Sequence, residues 1–118
     1  MRLISIVIPV YNEEENIKQL YAELCEMADS SGLHCEFVFV DDGSRDRTVP
    51  LLAQTAAGDA RVRVVVLRRN FGQTAGLAAG FDYAQGEVVV ALDGDLQNDP
   101  AAIPQMIAKL DEGYDIVA

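Results

Sequence analysis

The sequence is short of basic residues and of long apolar runs, and each shortage excludes a class of protein. Its 118 residues carry 9 Lys and Arg against 19 Asp and Glu, a formal net charge of −10. Surfaces that bind nucleic-acid backbones are normally rich in Lys and Arg, so we expect no nucleic-acid partner. No apolar run approaches the roughly 20 residues that cross a bilayer, and the N-terminal run is too short for a signal peptide.

Cysteine, histidine and the common phosphate-binding loops are also scarce or absent. Cys25 and Cys35 lack the spacing of a metal-binding pair and are predicted to be reduced thiols. His34 is the single histidine, and a structural or surface role is expected for it. Neither G-x-G-x-x-G nor G-x-x-x-x-G-K-[ST] occurs, so the sequence supports neither dinucleotide binding nor a P-loop.

What the sequence does contain is an alternation of apolar strands and helices. Strands are predicted at residues 4–10, 37–40, 62–67, 88–92 and 115–118. Helices are predicted from a cap at Asn12 to residue 31, from Asp46 or Arg47 to Gly58, at 74–84, and from the Asp99-Pro100 cap to about residue 110. Near-continuous apolar strands separated by helices predict an α/β fold, with an open, mainly parallel sheet and helices on both faces. Because the last predicted strand reaches Ala118, we expect the N-terminal part of a longer protein.

Polar side chains follow each of the first four strands. In an open α/β sheet, ligands lie beyond the carboxyl ends of the strands, where the strand order reverses. Five carboxylates are expected at this edge: Glu13, Asp41, Asp42, Asp93 and Asp95. Like charges held close together repel each other unless a cation offsets the repulsion. This crowding favours a site for a divalent metal.

The Asp93-Gly94-Asp95 segment is the sharpest candidate for that metal. Two carboxylates one residue apart can approach one hard cation directly or through its waters. Mg²⁺ is commonly shared between one or two carboxylates and the phosphates of a substrate. The same residues would also serve as an ordinary acidic turn, and the motif alone does not decide between the two.

The Asp41-Asp42-Gly43-Ser44 segment is a second candidate. Its carboxylates are able to accept hydrogen bonds from the ring N–H of a base or from a ribose hydroxyl. Alternatively, the segment caps the second helix through Ser44 or Asp46.

Four motifs in this order resemble the family 2 glycosyltransferases of the GT-A fold. They are IVIPVYNEE at 6–14, VDDGS-x-D-x-T at 40–48, RNFG at 69–72 and LDGDLQ-x-x-P at 92–100. The last motif, with DEGYD at 111–115, is similar to the branch of polyprenyl-phosphate sugar synthases. One departure is Gln73-Thr74, where relatives carry His-Gln, so a role for that histidine is unsupported in this chain.

The resemblance implies a Rossmann-like half-domain that binds a nucleotide sugar, such as a UDP- or GDP-sugar, over residues 1–118. The expected nucleotide-binding residues are Pro9, Tyr11, Asn12, Glu13, Asp41, Asp42, Arg69 and Asp93. The expected ligands of Mg²⁺ or Mn²⁺ are Asp93, Asp95 and Gln97. No catalytic base is expected within the chain. The acceptor half and any membrane helices are expected beyond Ala118, and the fragment alone is expected to be inactive.

The resemblance further implies an inverting transfer to polyprenyl phosphate, by an enzyme of cell-envelope synthesis at the cytoplasmic, inner face of the membrane. Three alternatives stay open at this point: a family 2 enzyme with a saccharide hydroxyl acceptor, a nucleotide-binding module without catalysis, and a phospho-acceptor receiver domain. The receiver would need an acidic pair after the first strand, where this chain has Tyr11-Asn12.

Overall fold

Four parallel strands form the centre of the molecule. A computed structural model describes residues 2–68, 72–93 and 99–112. The strands are β1 (Leu3–Val10), β2 (His34–Asp41), β3 (Val62–Val66) and β4 (Val88–Ala91), in the spatial order β3-β2-β1-β4. All three pairings between neighbours are parallel. The predicted α/β class and parallel sheet are therefore confirmed, while the predicted strand at 115–118 lies outside the described residues.

Helices cover both faces of this sheet. They are α1 (Ile17–Ser31), α2 (Thr48–Gly58), α3 (Gln73–Tyr83) and α4 (Ile103–Asp111), the last preceded by a 3₁₀ turn at Pro100–Ala102. The predicted cap at the start of this turn is present, since the Asp99 carboxylate accepts a hydrogen bond from the Ala101 amide at 2.9 Å. Proline follows this cap because its missing N–H needs no partner there.

The alternation of side chains along β1 divides the core into two layers. Ile4, Ile6 and Ile8 belong to a buried cluster that includes Leu20 and Leu24 of α1. Val7 points to the other face and packs in a separate cluster with Val38, Val40 and Leu77 of α3. Both faces of the strand are buried, which explains why its sequence is near-continuously apolar, with Ser5 the exception, rather than alternating.

The first helix begins later than the sequence predicts. Asn12 does not cap it: the helix starts at Ile17, and Asn12 has a left-handed backbone conformation with φ of 51°. Asparagine tolerates this region better than most residues. Consequently residues 12–16 form a loop at the carboxyl end of β1, which adds backbone to the edge where a ligand is expected.

Glycine lets α3 approach the sheet closely. A Cβ atom at Gly80 would lie 2.2 Å from Val7 Cγ1 and 3.2 Å from Val40 Cγ2. At Gly76 the nearest atom, Pro9 Cβ, would be 3.5 Å away. Gly80 is therefore required for this close approach, whereas a Cβ atom at Gly76 would make only an ordinary van der Waals contact.

A polar cluster ties α1 to the start of β3. Asp59 accepts hydrogen bonds from the Tyr21 hydroxyl at 2.6 Å and from the Arg61 guanidinium at 2.9 Å. Arg61 also lies over the Phe37 ring, 5.3 Å from its centroid. The Arg61 hydrogen bonds outweigh burial and, with the Tyr21 hydroxyl, lower the pKa of Asp59 to about 2.

Replacing Gly80 by alanine tests the close approach of α3. We expect Gly80→Ala to lower the free energy of unfolding by about 2 kcal/mol, because the added methyl group overlaps Val7. Gly58→Ala is the matched control, since no atom lies within 4 Å of a Cβ at that position. Urea unfolding measures both variants, and equal stabilities would contradict the packing role of Gly80.

The Asp59 cluster makes stability depend on pH in the acid range. A carboxylate whose pKa is depressed on folding stabilises the protein above its unfolded pKa, here 3.8, and this contribution is lost as the pH falls toward about 2. At pH 7 we expect Asp59→Asn to cost about 2 kcal/mol of unfolding free energy. In urea titrations the gap between this variant and the wild type should narrow below about pH 4. A gap that stays constant down to pH 3 would contradict this assignment.

Candidate functional site

The strand order places a topological switch at β1. From β1 the chain passes to β2 and β3 on one side, and then returns to β4 on the other side of β1. The residue after β4 is tied to the middle of β1 by a hydrogen bond from the Leu92 amide to the Val7 carbonyl at 2.9 Å. Ligands of open α/β sheets lie at such a switch, beyond the carboxyl ends of the strands.

A pocket of about 460 Å³ lies at this edge, across the exits of β1, β2 and β3. Its volume lies within the range of small-ligand sites. The lining residues combine one carboxylate and two arginines with apolar and small side chains: Tyr11, Asp41, Gly43, Ser44, Arg45, Val49, Val66, Leu67 and Arg68. Tyr11 and Asp41 belong to the residues that the sequence predicts for nucleotide binding.

Asp41 is buried with half of its hydrogen-bonding capacity unused. Its side chain is 0% exposed. Oδ2 accepts hydrogen bonds from the amides of Gly43 at 3.1 Å and Ser44 at 2.9 Å, which turns the chain away from β2. Oδ1 is also buried, and no described residue donates a hydrogen bond to it. Leaving a buried oxygen without a hydrogen bond costs free energy, so we expect a donor from outside the described residues to bind Oδ1.

Asp42, the next residue, holds a different part of the site. Its Oδ2 accepts a hydrogen bond from the Gly72 amide at 2.9 Å, at the start of α3, where Gly72 has φ of 95°. The side chain is 5% exposed and does not belong to the described lining of the pocket. Within the described structure, Asp42 therefore links the β2 exit to α3.

The other predicted nucleotide-binding residues of β1 lie along its exit. Pro9 packs beneath Gly76 of α3, and Tyr11 is 41% exposed beside the pocket. The Asn12 side chain accepts a hydrogen bond from the Arg45 amide at 2.9 Å, and Glu13 accepts one from the Asn16 amide group at 2.7 Å. These residues surround the carboxyl end of β1, and only Tyr11 of them is among the pocket's described lining residues.

The predicted metal ligands are only partly described. Asp93 lies two residues after the end of β4 and is half-buried near the switch between β1 and β4. Asp95 and Gln97, together with Arg69, lie outside the described residues. Among residues 2–68, 72–93 and 99–112, no group of three His, Cys, Asp or Glu side chains is arranged to hold a metal ion.

Two arginines that line the pocket were not among the site residues predicted from the sequence. Arg45 and Arg68 are exposed lining residues, and neither forms an ion pair with another described residue. In contrast, Arg2, Arg61 and Arg63 all form ion pairs with carboxylates. The signal was present in the sequence, because Arg45 follows the acidic motif of β2 and Arg68 follows β3. These two arginines leave positive charge available beside the pocket of an otherwise acidic chain.

Comparison with known proteins identifies the family. The model for glycosyl transferase family 2 matches residues 5–118. The chain belongs to glycosyl transferase family 2. This confirms the resemblance drawn from the four motifs, and it excludes the receiver-domain alternative.

Several relatives and solved structures agree with this membership. An undecaprenyl-phosphate 4-deoxy-4-formamido-L-arabinose transferase of Shewanella sediminis is 46% identical over 97% of this chain and 35% of its own length. The S. aureus TarS 1–349 structure in complex with UDP-GlcNAc has a TM-score of 0.75 at 26% identity, covering 95% of this chain and 32% of that one. A mannosyltransferase of Pyrobaculum calidifontis in complex with GDP-Man and Mn²⁺ has a TM-score of 0.67 at 27% identity, covering 80% and 27%.

The chain is much shorter than these relatives. It spans about a third of the length of the curated relatives it matches. Within the part of the chain that the structure describes, no helix is long and apolar enough to cross a bilayer. The GT-A fold predicted from the sequence is confirmed by the parallel sheet and by the structural neighbours.

Proposed function

We propose that the chain binds a nucleotide-diphosphate sugar at the carboxyl edge of its sheet, as the donor half of a glycosyltransferase. The observation that carries the proposal is the buried Oδ1 of Asp41, which has no donor among the described residues and belongs to a side chain that lines the pocket. The unpaired oxygen favours a ligand that carries an N–H group. The positive charges of Arg45 and Arg68 beside it favour an anionic ligand. A nucleotide has both features.

The hydrogen bonds that Asp41 already accepts favour uracil as the base. Because Oδ2 already accepts two backbone amides, only Oδ1 is left for a ligand. One acceptor matches the single ring N–H of uracil. Guanine presents two adjacent donors, which suit a carboxylate with both oxygens available, and cytosine presents an acceptor at the same ring position, which Asp41 would repel. We therefore propose a UDP-sugar as the donor.

A divalent cation is proposed to complete the site. Asp93 lies at the switch point, and Asp95 and Gln97 follow it in the sequence, so these three residues would hold the ion. Carboxylate and amide oxygens are suitable ligands for Mg²⁺ and Mn²⁺, so the donor set fits the ion. When bound, such an ion neutralises charge on the diphosphate leaving group. Arg69 is proposed to contact a phosphate of the same ligand.

The reaction we propose is inverting transfer of the sugar to a polyprenyl phosphate. A phosphate monoester is largely ionised at pH 7, since its second pKa is about 6, so the acceptor needs little help from a general base. The residues of this chain would then act mainly by binding and orienting the donor. We further propose that the acceptor is bound by parts outside this chain, at the cytoplasmic face of the membrane. The named undecaprenyl-phosphate transferase relative supports this acceptor.

Asp41→Asn tests the carboxylate that carries the proposal. We expect UDP to bind about tenfold or more weakly, because a hydrogen bond from the base to a charged oxygen is lost. Stability should not fall, because the change removes a buried charge with one unpaired oxygen. Calorimetric titration and thermal unfolding measure the two effects.

Asp82→Asn, the same change at an exposed position on α3, is the matched control and should bind UDP like the wild type. The wild type should also prefer UDP to GDP and CMP. Unchanged UDP affinity in Asp41→Asn would overturn the assignment of Asp41, and a preference for GDP would overturn the assignment of uracil.

The metal ligands are tested by the same titration with and without Mn²⁺. We expect Mn²⁺ to tighten UDP binding to the wild type, because the cation offsets repulsion between the diphosphate and the acidic edge. In Asp95→Ala this gain should be lost, whereas Asp82→Ala should keep it. A UDP affinity that changes neither on addition of Mn²⁺ nor in Asp95→Ala would contradict the metal site.

A further inference from the structure

Three consecutive backbone amides in the loop after β1 are held by side chains from the loop after β2 and from the first residue of α2. The amide of Asn12 donates to Ser44 Oγ at 2.8 Å, that of Glu13 to Thr48 Oγ1 at 2.9 Å, and that of Glu14 to Asp46 Oδ2 at 3.3 Å. The three acceptors alternate along the chain at positions 44, 46 and 48. We name this set of contacts the loop clamp.

The loop clamp is orientated by its own internal hydrogen bonds. Thr48 is fully buried, and its hydroxyl donates its only proton to Asp46 Oδ1 at 2.6 Å. The lone pairs of the same hydroxyl are therefore left to accept the Glu13 amide. Asp46 Oδ1 also accepts the Thr48 amide at 2.9 Å, which caps the start of α2. Burial raises the pKa of Asp46, but the hydrogen bonds from Thr48 and from the Glu14 amide outweigh it and lower that pKa overall.

A return contact fixes the conformation of Asn12. The Asn12 side chain accepts the Arg45 amide, while its own amide is held by Ser44. Asn12 has φ of 51°, a conformation that is uncommon outside glycine and that the surrounding contacts must stabilise. The two loops thus bind each other in both directions.

From these contacts we propose that Ser44, Asp46 and Thr48 are positioning residues for nucleotide binding. The proposal rests on the proposed function of the pocket. Tyr11, which precedes Asn12, lines the pocket together with Ser44 and Arg45 of the loop after β2. The loop clamp joins the two loops that carry these lining residues, so this part of the pocket is already shaped before a ligand enters. Such preorganisation raises affinity because less conformational freedom is lost on binding.

A purely local role in capping α2 does not account for the loop clamp. Capping requires only the bond from the Thr48 amide to Asp46. Asn12 and Glu14 are exposed, so water could satisfy their amides at little cost. The side-chain contacts instead fix where the β1 loop lies relative to the pocket.

Thr48→Val removes the central hydroxyl with little change of shape and is the decisive variant. We expect UDP affinity to fall about fivefold and the exchange rate of the Glu13 amide to rise by about the same factor, the equivalent of one hydrogen bond. Thr48→Ser keeps the hydroxyl and should restore both values. Thr55→Val is the matched control, because among the described residues the Thr55 hydroxyl bonds only the Leu51 carbonyl, within α2.

Amide hydrogen exchange and calorimetry together separate the possible outcomes. If the wild type fails to bind UDP, the proposed function is wrong, and amide exchange still tests the contacts. If the Glu13 amide exchanges at the same rate in the wild type and in Thr48→Val, the loop clamp does not exist. If that amide is released while UDP affinity stays unchanged, the contacts are structural only and the positioning role is overturned.

Discussion

The architecture of the site depends on the position of β1 between β2 and β4. Because the four strands that the structure describes are parallel, their carboxyl ends meet at one edge, and the reversal of strand order at β1 marks where ligands of open α/β sheets lie. Both faces of β1 are buried, so its register is fixed by side chains that pack in two separate layers. Tyr11 and Asp93 reach the same edge as a consequence of this packing, although they are far apart in the sequence.

At this edge, some carboxylate oxygens have hydrogen-bond partners among the described residues and one does not. The difference distinguishes residues with a structural role from a residue that is available to bind a ligand. Asp42 holds the start of α3, and Asp46 serves both α2 and the β1 loop. Asp41 turns the chain with one oxygen and leaves the other without a donor among the described residues. Adjacent acidic residues in one motif therefore have different physical roles, which follow from the partners that each carboxylate oxygen finds.

Much of the fold was predictable because its signals are local. The strand positions follow from short β-branched runs, and the Asp99-Pro100 start of the last helical segment follows from capping chemistry. The start of α1 was not predictable in this way. Asn12 resembles a helix cap in sequence, but the acceptors that hold its loop come from Ser44 and Thr48, more than 30 residues away. Local propensity cannot report a hydrogen bond to a distant segment.

By itself, the sequence determined the α/β class, the family and the set of acidic motifs at the strand ends, because these depend on periodicity and on short ordered patterns. Tertiary structure decided which of those residues share a pocket. Arg68 follows β3 and becomes a neighbour of Asp41 and Arg45 only when β2 and β3 pair side by side. The unpaired oxygen of Asp41 was likewise decided by the fold, since satisfaction of a buried carboxylate depends on every group that packs around it.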